Sequence, residues 1–149
     1  MFLGRIAIWT RGGHGTPPAS IAALADTGSG RIAIANPEHA PYGRAAKEAL
    51  ERAGVYDAVA PRLVLAENVR QALQFAQTGN VDAAIVAWSL VVNDTTNPST
   101  LLDASSHAPI EQTLVVCRRG GNHAGGDAFA DYVASDEGRA AMRRFGFER

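Results

Sequence analysis

Asn36-Pro-Glu-His-Ala-Pro-Tyr-Gly43 decides the fold. Before it, Arg31-Ile-Ala-Ile-Ala35 reads as a buried strand that Asn36-Pro37 stops. After it, Ala46, Ala49, Leu50 and Ala53 recur at helical spacing while Lys47, Glu48, Glu51 and Arg52 face outward, and Gly54 is placed to end the helix. The unit is strand, loop, helix, with the loop delivering the start of the helix.

The unit repeats downstream. Pro61-Arg-Leu-Val-Leu-Ala66 is a strand, and Glu67-Asn-Val-Arg70 opens a second helix, with Asn68 and Gln71 at capping-box spacing and Gly79 closing after Gln77. Asp82-Ala-Ala-Ile-Val-Ala-Trp88 is a third strand. Strands alternating with helices predict a parallel-type sheet covered on both faces, whose ligands sit beyond the carboxyl ends of the strands. Residues 36 to 43 and 66 to 69 lie at those ends. At the first turn of a helix four N–H groups lack intrahelical acceptors and the dipole favours negative charge, so two such starts facing one point make an anion site.

Outside this core, Arg5-Ile-Ala-Ile-Trp9 is a short buried strand followed by a turn-rich loop, Thr10 to Pro18. Ser20 caps a short helix over 21–25. Residues 93–109 read as a polar loop, and Ile110-Glu-Gln-Thr-Leu-Val-Val-Cys117 as a strand that buries Cys117. Arg118 to Gly126 is a flexible connection. Two helices end the chain, one presenting Phe129, Tyr132 and Val133, the next capped by Ser135 and carrying Met142 and Phe145.

With 149 residues, 46% of them apolar and 19% charged, the chain is long enough for one domain with a real core. The formal net charge of -1 is spread without long like-charge blocks, which draws it to neither nucleic acid nor an anionic membrane. The basic residues are nearly all arginine, with Lys47 the one lysine. A single cysteine excludes an internal disulfide framework. No stretch approaches the roughly 18 apolar residues of a membrane span, and the first residues lack the basic start of a signal peptide.

Several chemistries fail on spacing. A phosphatase-type loop needs Arg six residues after Cys117, where His123 stands. No glycine-rich loop ends in Gly-Lys-Ser or Gly-Lys-Thr. His14, His39, His107 and His123 form no i, i+4 pair, so no metal site is expected. Glu38 and His39 could act as an acid/base pair, which leaves a hydrolase as a competing reading.

The chain resembles the molybdate-binding proteins of molybdate ABC transporters, of the type II periplasmic binding protein fold. The resemblance is carried by residues 32–50, by Glu67-Asn-Val-Arg-Gln-Ala-Leu73, by Ala84-Ile-Val-Ala-Trp-Ser89, by Ala108-Pro-Ile-Glu-Gln112 and by Phe145-Gly-Phe147. It implies an α/β, three-layer αβα fold: the second lobe of such a receptor plus return segments, without the first lobe. The implied division is 1–13 as a strand and hinge remnant of the first lobe, 14–107 as the ligand-binding lobe, and 108–149 as return strand and C-terminal helices.

It further implies a molybdate or tungstate ligand held without a cation or other cofactor. By motif, the ligand-binding residues are Tyr42 and Val69 through their amides, with Pro41, Gly43 and Asn68 beside them. Some members add a tyrosine hydroxyl where this chain has Ala87; Tyr42 stands to supply that contact. The implied partner is the transporter permease, the implied place the periplasm, although the missing signal peptide also suits the cytoplasm. No enzymatic activity, nucleic-acid partner or membrane insertion is expected. An intracellular oxyanion sensor, or a truncated receptor with no role of its own, are the competing readings within this resemblance. With half the cleft gone, the isolated chain is expected to bind weakly or not at all. Ile6, Ile8, residues 110–117 and the last two helices are expected to lose their cover, and a homodimer, with or without exchange of the C-terminal segment, is expected to replace it.

Overall fold

The structure, a computed structural model, describes residues 1–13, 17–26 and 30–148. His14 and the expected lobe boundary at that position lie outside the described residues. Five strands form the main sheet: β2 (Ile6–Thr10), β3 (Ile32–Ala35), β4 (Leu63–Ala66), β5 (Ala83–Ala87) and β6 (Ser99–Leu101), in the order β4-β3-β5-β2-β6. Strand β3 is parallel to β4 and β5, whereas β2 is antiparallel to both β5 and β6. The sheet is therefore mixed, not wholly parallel as the alternation of elements predicts. Short apolar runs carry no direction, and only the pairing of Ile6 with Ala87 and of Thr10 with Ala83 reveals it.

Period-two geometry sends alternate residues of one strand to opposite faces. Ile6, Ile8, Ile32, Ile34 and Ile85 point into one core, completed by Ala45, Ala46, Ala49 and Leu50 of helix α2 (Pro41–Arg52), with Leu24 of α1 (Ala23–Asp26) and Val59 of α3 (Tyr56–Val59). Ala7, Trp9, Ala33, Ala84 and Val86 point into the other, against Ala72, Leu73 and Ala76 of α4 (Val69–Gln77) and Val91 of α5 (Trp88–Val91). Helices α2 and α4 thus cover opposite faces, and each begins just beyond the carboxyl end of a strand. Gly54 and Gly79, at φ +71 and +79, end them as the left-handed residues that close helices.

A two-stranded antiparallel ribbon stands apart: β1 (Phe2–Gly4) on β7 (Ile110–Gln112). The chain end returns to it through the Leu3 and Glu148 backbone pair and an ion pair between Arg5 and Glu148. Between these, α6 (His123–Ala134) and α7 (Asp136–Arg144) form a hairpin in which α6 buries no residue.

Four expectations need correction. Ile6 and Ile8 are fully buried inside the main sheet, so they owe no cover to another lobe. The polar loop 93–109 contains β6, whose Ser-Thr-Leu sequence has no apolar alternation yet pairs with β2. The strand after Ile110 stops at Gln112, because its partner begins at Phe2 and the last pair is Phe2 with Gln112. Cys117 is consequently exposed instead of buried.

Candidate functional site

Residues 36–40 fold into a turn organised by Asn36. The Asn36 side chain accepts from Glu38 N at 3.0 Å, its carbonyl accepts from Ala40 N at 2.9 Å, and its own N–H donates to Ala66 O at 2.7 Å, extending the β3–β4 ladder by one bond. Ala40 then occupies the N-cap of α2 in extended conformation, with no side chain to cap it. Pro41 has no N–H, and the first bond of the helix runs from Arg44 N to Ala40 O at 3.0 Å. Among the described residues, the N–H groups of Tyr42 and Gly43 have no acceptor.

The other long helices are capped differently. Asn68, Asn122 and Ser135 each accept a backbone N–H at the starts of α4, α6 and α7. At α4 the expected capping box forms with a variation: Asn68 accepts from Gln71 N at 2.9 Å, while the Gln71 side chain reaches back to Glu67 N at 2.7 Å, one residue beyond the cap. Among the described residues, the N–H groups of Val69 and Arg70 have no acceptor. Four unpaired donors, two per helix, therefore lie at the carboxyl ends of adjacent strands β3 and β4.

These helix starts share one cavity of ≈ 250 Å³, lined by His39, Ala40, Pro41 and Tyr42 on one side and Glu67, Asn68 and Val69 on the other. Tyr42, Val69, Pro41 and Asn68, all named from the sequence, are brought together there. Gly43 lies behind them: it is buried, and a Cβ at its position would sit 2.1 Å from the Ala35 carbonyl oxygen. Glycine is what lets α2 start this close to the end of β3. Sequence reasoning did not single out Ala40, although an alanine at an N-cap directly before proline is legible as a missing cap.

The Tyr42 side chain turns toward β1 and α5. Its hydroxyl is hydrogen-bonded with Ser89, two residues past the end of β5, and sits where a Cβ on Gly4 would be 2.5 Å away. Burial pushes its pKa above the usual phenol value, against the smaller lowering effect of Ser89. Because the folded value is raised, this contribution to stability is full below about pH 10 and is lost as pH rises through the folded value. Absorbance titration should show one late-ionising phenol that Tyr42→Phe removes; an unchanged titration in that variant would contradict the burial.

His39 and Glu38 do not form the acid/base pair considered above. The His39 ring instead meets the Glu67 carbonyl oxygen at 3.2 Å, across the cavity wall. A pair of helix starts with free amides can hold an anion.

A sheet with helices on both faces and a hollow at its strand ends is the arrangement in which open α/β folds bind ligands. The chain belongs to the bacterial extracellular solute-binding proteins, whose family pattern matches residues 1–148. It is 31% identical over 148 residues to the molybdate-binding protein ModA of Rhodobacter capsulatus, covering 97% of this chain and 57% of that one. It is 34% identical over 119 residues to ModA of Escherichia coli, covering 79% of this chain and 46% of the relative. Among solved structures, the periplasmic molybdate-binding protein of Azotobacter vinelandii superposes with a TM-score of 0.86 at 24% identity, over 99% of this chain and 66% of its own length. The fold is that of the type II periplasmic binding proteins. The chain spans about half the length of the curated relatives it matches.

Proposed function

We propose that this chain supplies one wall of an oxyanion receptor site, binding molybdate or tungstate through the amides of Tyr42 and Val69, with those of Gly43 and Arg70 beside them. The observation that carries the reading is the single cavity on which two helix starts converge, one of them left uncapped by Ala40 and Pro41. Pro41 and Asn68 shape the two rims. Donors without formal charge suit a ligand that must be released again, and helix dipoles favour the dianion without a counter-cation. Membership of a solute-binding family and molybdate-binding relatives on both sides of 30% identity support the choice of ligand.

In this reading the lobe comprises the five-stranded sheet with its helices, β2 included, and residues 108–149 are return segments. The role is delivery to an ABC-transporter permease outside the cytoplasmic membrane; the solved relative from A. vinelandii is periplasmic. Four amides replace only part of a dianion's hydration, so this chain alone should bind weakly. The test is titration with molybdate, run in parallel with sulfate and followed at individual backbone amides. A saturable response at the two helix starts supports the proposal.

The surface left by Leu114, Val115, Phe129, Tyr132 and Phe145 is exposed and apolar, and a second copy of the chain is the cover we propose. A net charge of -1 opposes such pairing little. Light scattering at micromolar concentration should give twice the 15.7 kDa chain mass, and the mass of one chain would refute the pairing.

A further inference from the structure

The two loops that present the free amides are each held by their own hydrogen bonds; the backbone bond from Asn36 N to Ala66 O joins their bases, and among the described residues one side-chain hydrogen bond links them further out. Asn36 holds residues 38 and 40, and Gln71 with Asn68 holds residues 67 to 71. Between these two turns, His39 Nε2 lies 3.2 Å from Glu67 O. A carbonyl oxygen only accepts, so Nε2 carries the proton and donates. Both residues line the cavity. His39 is three residues from Tyr42 and Glu67 two from Val69, so the bond spans the gap across which the donors face each other.

We propose that His39 is a positioning residue: its Nε2–H clasps the β4–α4 loop to the β3–α2 loop and fixes the spacing of the two sets of amide donors. This deepens the oxyanion reading and rests on it for its effect on affinity. A site held at its working spacing loses less freedom when the anion arrives. The bond is exposed and joins parts that the sheet already holds in the fold, so its loss should alter the site more than the stability of the chain.

The experiment compares wild type, His39→Ala and His39→Gln, the last of which keeps a side-chain N–H donor. Molybdate affinity is expected to fall about tenfold in His39→Ala, the scale of one hydrogen bond, and to recover largely in His39→Gln, with all three unfolding at the same temperature. A ligand-free readout accompanies it: exchange of the bonded amides of Ala40, Glu67 and Gln71 should quicken in His39→Ala and return in His39→Gln. Equal affinity and equal exchange in wild type and His39→Ala would overturn the clasp. If wild type binds no molybdate, the oxyanion reading fails, and the exchange rates still decide the clasp: quickened and restored supports it, unchanged overturns it.

Discussion

Gly43→Ala should lower the thermal unfolding midpoint by roughly 6 to 12 °C, corresponding to about 3 kcal/mol of lost stability. Helix propensity alone argues the opposite sign, since alanine inside a helix is favoured over glycine by about 1 kcal/mol. The close approach wins because the three atoms nearest the new Cβ, at 2.1, 2.7 and 2.9 Å, are all backbone of Ala35 and Asn36. No side chain can rotate away to make room. The end of β3 and the first turn of α2 must separate, moving the free amides of Tyr42 and Gly43 with them. A calorimetric scan checks the sign directly, and a variant as stable as wild type would mean that the junction is looser than the fold implies.

Ala40→Asp should have the opposite effect on stability and a larger one on binding. The position has the extended backbone of an N-cap, at φ -104 and ψ 121, but no side chain that can accept from the helix. An aspartate there accepts from the free amides and adds about 1 kcal/mol, raising the midpoint by a few degrees. The same carboxylate occupies the donors and places a negative charge in the cavity that Ala40 lines, so molybdate binding should disappear. Ala40→Asn separates occupancy from charge: it caps about as well, and should weaken binding without abolishing it. Undiminished molybdate binding by the aspartate variant would remove α2 from the site.

The parts of the molecule that could be read from the chain are those built on specialised backbone chemistry. The two strand-to-helix junctions were legible because Pro37, Gly43, Asn68 and Gly79 are residues whose backbone or capping chemistry has few other uses. The junctions point to the two helix starts, and it is the resemblance that names Tyr42, Val69, Pro41 and Asn68 there, all four of which line the cavity. The antiparallel entry of β2 was not legible, since Ile-Ala-Ile-Trp buries equally well in either direction. Nor was β6, whose strand character comes from the edge of β2 and not from its own side chains. Cys117 misled because an apolar run predicts burial only where a partner strand exists, and the ribbon ends at Phe2. The contact between His39 and Glu67 joins residues 28 apart through a single ring nitrogen, and no spacing rule announces it.

The central claim is that one oxyanion is held between the starts of α2 and α4, and an amide-resolved NMR titration with molybdate tests it most directly. Saturable shifts should appear at Tyr42, Gly43, Val69 and Arg70, while Gly125 and Gly138, whose amides are already taken by the caps Asn122 and Ser135, stay still. Shifts absent from those four amides, or spread equally over all helix starts, would contradict the account.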